Sequence, residues 1–87
     1  MGAYRVQIKT SAAKELDGIA QMSDRQRVVR RILGLAENPR PAGCQKLAGG
    51  NDRYRVRQGR FRIVYSVYDG ERVVEVVKIG DRRSVYR

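Results

Sequence analysis

From position 53 to 62 the chain reads Arg53-Tyr54-Arg55-Val56-Arg57-Gln58-Gly59-Arg60-Phe61-Arg62, five arginines with no acid among them. A guanidinium stays charged at any relevant pH and grips a phosphate through parallel N–H donors, so this spacing suits a phosphate clamp better than a proton relay. The final stretch, Asp81-Arg82-Arg83-Ser84-Val85-Tyr86-Arg87, adds three arginines and a tyrosine. The sequence has no His, which removes both a Ser-His-Asp triad and a His-based ribonuclease pair. The lone Cys44 leaves no Cys/His zinc cluster and no internal disulfide, and is read as a small loop or core residue.

These side chains need strands to aim them. Tyr54 to Arg57 alternates apolar and basic residues, which predicts a strand with Arg55 and Arg57 on one face and Tyr54 and Val56 on the other. Gln58-Gly59-Arg60 is a turn. Phe61 to Tyr68 is a second strand of this group, with Phe61, Ile63, Tyr65 and Val67 inward and Arg62 outward. Asp69-Gly70 signals a hairpin, and Arg72 to Ile79 is the strand that follows. Arg55 and Arg57 also fit a plainer role as solvated edge charges that discourage aggregation. Arg62 stands in a strongly apolar strand with no acid two positions away, and is the stronger functional candidate. If the tail from Gly80 folds back over the sheet, Arg82 or Arg83 and Tyr86 converge with Arg55, Arg57 and Arg62; otherwise it is a frayed terminus.

Upstream, Ala3 to Lys9 alternates as a first strand, with Tyr4, Val6 and Ile8 on one side. A short helix is predicted over 11–20, capped by Thr10 or Ser11. A second opens at the S-x-x-Q capping box Ser23-Asp24-Arg25-Gln26 and runs to Asn38, where Pro39 stops it. Its apolar stripe is Val28, Val29, Ile32, Leu33, Leu35 and Ala36. Residues 41–52 read as an ordered loop. The order βααβββ predicts an α+β fold of two layers, a four-stranded, mostly antiparallel sheet with a helical hairpin on one face. The other sheet face is left uncovered as the candidate working surface.

The chain has 87 residues, with 19 Lys plus Arg against 9 Asp plus Glu, a net charge of +10. One domain over 1–87 is expected at this length. The charge density rises after Asp52, where the final 35 residues carry a net +6. Such a field favours a polyanionic partner, nucleic acid before membrane, because nowhere do 18 apolar residues follow one another. A cytoplasmic protein without a membrane association is expected.

The run Leu47-Ala48-Gly49-Gly50-Asn51-Asp52-Arg53-Tyr54-Arg55-Val56-Arg57-Gln58-Gly59-Arg60-Phe61-Arg62-Ile63-Val64-Tyr65, with Val77-Lys78-Ile79-Gly80-Asp81-Arg82-Arg83-Ser84-Val85-Tyr86, closely resembles the RelE branch of the RelE/ParE toxin superfamily. The likeness extends over nearly the whole chain, including the βααβββ order and the Asn38-Pro39-Arg40-Pro41 segment. It implies a toxin of a type II toxin–antitoxin module, a ribosome-dependent endoribonuclease that cuts mRNA by attack of a 2′-hydroxyl on the adjacent phosphate and so inhibits translation. By resemblance Arg55 and Arg57 hold the basic active-site positions of the second predicted strand, where relatives often carry lysines. Arg62 matches the arginine of the next strand, Arg82 the basic residue after the last strand, and Tyr86 the tail tyrosine. Arg53, Arg60, Lys78 and Arg83 are expected to contact RNA.

Within that implied chemistry, Arg62 and Arg82 stabilise the charge of the transition state, and Tyr86 either accepts a proton or stacks on a base. Two positions depart from the family pattern: arginine replaces lysine in the second predicted strand, and Asp81 stands where many relatives carry His or a basic residue. The resemblance implies no metal or organic cofactor. It implies as partners a cognate antitoxin, the ribosome and mRNA, with promoter DNA reached through the antitoxin. Two other readings are a ParE-like toxin that inhibits DNA gyrase, and a non-catalytic module that binds nucleic acid or an antitoxin.

Overall fold

The computed structural model describes residues 3–49 and 52–81. Its elements run β1 (Arg5–Ile8), α1 (Thr10–Asp17), α2 (Met22–Gly34), β2 (Gln45–Lys46), β3 (Arg53–Gln58), β4 (Phe61–Tyr68) and β5 (Val73–Asp81). The sheet order is β1-β5-β4-β3-β2. β1 pairs with β5 in parallel, and the other neighbours are antiparallel. This is the expected two-layer α+β arrangement with one strand more: Gln45 and Lys46, read from the sequence as loop, pair with Arg55 and Tyr54. Turn-forming residues surround this short strand, so local composition hides it; the free edge of β3 supplies its hydrogen-bonding partner.

The helices face the sheet through residues at 3.6 spacing. Ala12, Leu16 and Ile19 in and just after α1, and Val28, Ile32 and Leu35 in and just after α2, stand at i, i+4 and i+7. They meet Tyr54, Val56, Phe61, Ile63, Tyr65, Val67, Val74, Val76 and Ile79 of the sheet. Leu33 lies about 140° round the helix from Val28 and is 60% exposed, so the apolar stripe is narrower than composition suggests.

The helix starts differ from their sequence signals. α2 begins at Met22 with Gln21 as its N-cap, and Gln21 O accepts the Arg25 N–H at 3.1 Å. Ser23 therefore lies inside the helix, and the Ser23/Gln26 capping box does not form. α1 likewise has Lys9 at its N-cap without a side-chain cap. α1 ends at Asp17 and α2 at Gly34, each short of the predicted stop, the chain after Gly34 continuing in turns. In the β4–β5 connection the left-handed residue is Arg72 (φ 55°), not Gly70, within a turn closed by Arg72 N–H to Asp69 O at 3.2 Å.

β5 carries a bulge. Val64 pairs with Lys78 but Tyr65 pairs with Val76, so Val77 is extra. The added residue shifts the alternation by one and lets Val74, Val76 and Ile79 all face the core. Glu15 of α1 is fixed to this point: its carboxylate accepts the Ile79 N–H at 2.8 Å and the Lys78 ammonium at 3.0 Å. At the far end of the sheet Arg40 makes a bidentate pair with Asp69 (2.7 and 3.2 Å), and its Nε donates to Tyr54 Oη at 2.9 Å. Tyr4 Oη donates to Asp69 at 2.6 Å, and the buried Tyr65 Oη donates to Pro39 O at 2.7 Å. These bonds tie the segment after α2 to the sheet.

Candidate nucleic-acid interface

The face of the sheet turned away from the helices is built by register. β3 and β4 align Arg57 with Arg62, Arg55 with Val64, and Arg53 with Ser66. β5 continues these rows with Gly80 beside Arg62, Lys78 beside Val64 and Glu75 beside Ser66. Arg53, Arg55, Arg57 and Arg62 thus share one face, as alternation predicted, with Tyr54, Val56, Ile63 and Tyr65 on the other. Gly80 adds no side chain to the Arg57–Arg62 row, so β5 leaves that part of the face low.

The arginines differ in exposure and support. Arg62 is 5% exposed although it lies away from the helices, whereas Arg57 is exposed. Directly opposed like charges repel, and here the two guanidinium-bearing residues are cross-strand neighbours. Arg55 donates to the Gln45 side chain of β2, and Arg53 Nε donates to the buried Ser66 hydroxyl at 3.3 Å. Gln45 and Ser66 are positioning residues that the sequence reading omitted. A serine in an otherwise apolar strand is a readable signal, but a glutamine in a presumed loop is not.

Two other expected contacts, Lys78 and Arg60, lie elsewhere. Lys78 is paired with Glu15 beside α1. Arg60, in the β3–β4 turn, pairs with Asp81 (3.1 Å) and lies over the Phe61 ring, 5.3 Å from its centre. Arg82, Arg83 and Tyr86 lie outside the described residues.

Tyr4 and Tyr65 are held in the neutral phenol form. Burial, and next the neighbouring Cys44, pushes the Tyr65 phenol up, while the hydrogen bond to Asp69 raises Tyr4. The Arg40 hydrogen bonds, followed by that from Tyr4, hold the Asp69 carboxyl down at about 2. Among the described residues no three His, Cys, Asp or Glu side chains form a metal-binding group, and no helix is long and apolar enough to cross a membrane. The working chemistry of this face is cationic: it can hold anions and stabilise negative charge that develops between its strands.

Comparison with known proteins agrees with this architecture. Residues 6–86 match the family described as ParE toxin of type II toxin-antitoxin system, parDE. The protein named Toxin RelE from Mycobacterium tuberculosis is 29% identical over 84 residues, covering 97% of this chain and 87% of that protein. The archaeal RelE-RelB complex from Pyrococcus horikoshii contains a chain that is 29% identical, with a TM-score of 0.81 and coverage of 92% and 96% of the two chains. A chain of the intact E. coli RelBE toxin–antitoxin complex is also 29% identical, with a TM-score of 0.77 and coverage of 91% and 96%. With sequence match and fold in agreement, the chain belongs to the RelE branch of the RelE/ParE superfamily of type II toxin–antitoxin toxins.

Proposed function

We propose that this toxin is a ribosome-dependent mRNA endoribonuclease. The observation that carries the reading is the Arg57–Arg62 row, extended by Arg55 and Arg53 along the sheet face turned away from the helices. In the reaction the 2′-oxygen forms a bond to phosphorus and the bond to the 5′-oxygen breaks, leaving a 2′,3′-cyclic phosphate and a 5′-hydroxyl. Arg57 and Arg62 clamp the non-bridging oxygens and meet the charge that grows on them, with no side-chain titration required of either. Tyr86, by family resemblance, accepts the 2′-proton as a phenolate stabilised by the surrounding arginines, the departing 5′-oxygen taking up a proton in turn, or it stacks on the flanking base, and Arg82 adds charge. A strand oriented by the ribosome compensates for a site with little acid–base equipment of its own.

Two of the solved relatives are toxin–antitoxin complexes, which supports a cognate antitoxin as this toxin's partner. An acidic segment that folds on binding suits its +10 charge.

Induction in cells, with amino-acid incorporation and DNA synthesis followed together, tests the function. Prompt loss of translation with codon-spaced mRNA ends is expected. A DNA-damage response with intact mRNA overturns the reading in favour of gyrase inhibition, the activity implied for ParE-like toxins. Tyr86→Phe should relieve growth arrest without loss of antitoxin binding if the phenol handles the proton.

A further inference from the structure

A second cationic site lies on the helix side of the sheet. α2 holds four arginines against one aspartate, and Arg27, Arg30 and Arg31 stand at i, i+3 and i+4 along one side of it. They line a concavity of about 470 Å³ that reaches the Gln58 end of β3. Leu35 and Pro41 form its apolar wall.

Gly34, one turn beyond Arg30 and Arg31, also lines the concavity, and a Cβ built there meets nothing within 4 Å. The glycine is not required by packing, and it keeps the recess open. Among the described residues Arg30 and Arg31 make no ion pair, and Arg27 has only Asp24 at 4.0 Å. Arg31 Nε is buried without a hydrogen-bond acceptor. Three guanidiniums around one recess exceed what a single carboxylate can satisfy, since one arginine already binds it bidentately. They match the several oxygens of a phosphodiester and its neighbour.

We propose that this concavity binds the phosphodiester backbone of a folded RNA. The proposal extends the nuclease reading above, and assigns the recess to a different RNA segment from the one clamped on the sheet face. Alternation places Gln58 on the helix side with Tyr54 and Val56, whereas Arg57, its neighbour, faces the other way. The two cationic sites therefore lie on opposite faces and meet only at the end of β3. One extended strand lying flat on the sheet reaches one of them; a folded RNA is needed to offer a second row of phosphates.

The experiment is a titration of the free toxin with a short RNA hairpin, a single-stranded RNA of equal length and an octaglutamate peptide, followed through arginine Nε–H NMR signals. The hairpin should shift Arg30 and Arg31. Arg30→Gln and Gly34→Leu should each weaken hairpin binding at least fivefold and leave single-strand binding within twofold. Gly34→Leu keeps every charge, and replacing a helical glycine favours the helix, so loss of fold does not explain its effect. Unchanged hairpin affinity in both variants overturns the proposal, as does tighter binding of octaglutamate than of the hairpin at these signals.

mRNA cleavage on programmed ribosomes separates the two readings. If Arg62→Ala abolishes cleavage while both recess variants bind the hairpin like wild type, the recess is refuted and the nuclease stands. If the wild-type toxin leaves mRNA intact on programmed ribosomes while the recess variants lose the hairpin, the nuclease reading fails and the recess stands.

Discussion

Arg62 concentrates the functional question at the scale of a residue. Arg62 is 5% exposed on the sheet face turned away from the helices, and a donor held in place by burial stabilises developing charge without reorganising. Arg62→Ala is expected to lower the single-turnover mRNA cleavage rate on ribosomes by about 10²–10³-fold, the usual effect of removing one preorganised donor. Arg57→Ala, on the exposed partner, should cost less.

Asp69 shows a different use of arginine. Its carboxyl falls from an ordinary 3.8 to about 2 because Arg40 and Tyr4 bind the ionised form. The folded value lies below the unfolded one, so its contribution to stability is fully present above 3.8 and is lost as pH falls towards about 2. The melting temperature should therefore drop more steeply between pH 4 and pH 2 in the wild type than in Asp69→Asn, as thermal unfolding by circular dichroism would show.

At the scale of elements, the β5 bulge and α1 depend on each other. The extra residue brings Ile79 inward, and Glu15 takes up its N–H together with the Lys78 charge. Glu15→Ala should cost about 1–3 kcal/mol in urea unfolding, the usual effect of removing the acceptor of a partly buried N–H. Glu15→Gln, which keeps a carbonyl oxygen for Ile79, should recover part of that loss. The segment after α2 has its own fastening, the buried bond from Tyr65 to Pro39 O. Tyr65→Phe should destabilise by about 0.5–1.5 kcal/mol and leave the open sheet face unchanged.

For the whole molecule, the decisive quantity is where the +10 charge lies. Arg53, Arg55, Arg57 and Arg62 share one face, and α2 carries a separate group on the other side of the sheet. Binding of single-stranded RNA through the four sheet arginines should weaken with salt at a log–log slope of roughly −3, about 0.7 per neutralised phosphate. Arg57→Gln should reduce the magnitude of that slope by about 0.7. Fluorescence anisotropy across a salt series measures both; a slope near zero would rule out this face as the binding surface.

The sequence by itself determined the alternation that separates Arg55, Arg57 and Arg62 from the apolar core, because side-chain direction in a strand follows parity alone. It determined the helical stripes at 28, 32 and 35 for the equivalent reason of 3.6 spacing, and the absence of His excluded His-based acid–base catalysis. Helix starts, the short strand at Gln45 and Lys46, and the positive φ at Arg72 were not legible, since each is decided by what another segment offers. Only the tertiary structure turned Lys78 towards Glu15, set Arg60 against Asp81, and put Gln45 and Ser66 beneath the arginines of β3. It alone brought Arg27, Arg30 and Arg31 to a recess closed by Pro41 and Gln58. Those pairings join residues far apart in the chain, and their geometry follows from strand register, a bulge and the seat of a helix, which no local pattern encodes.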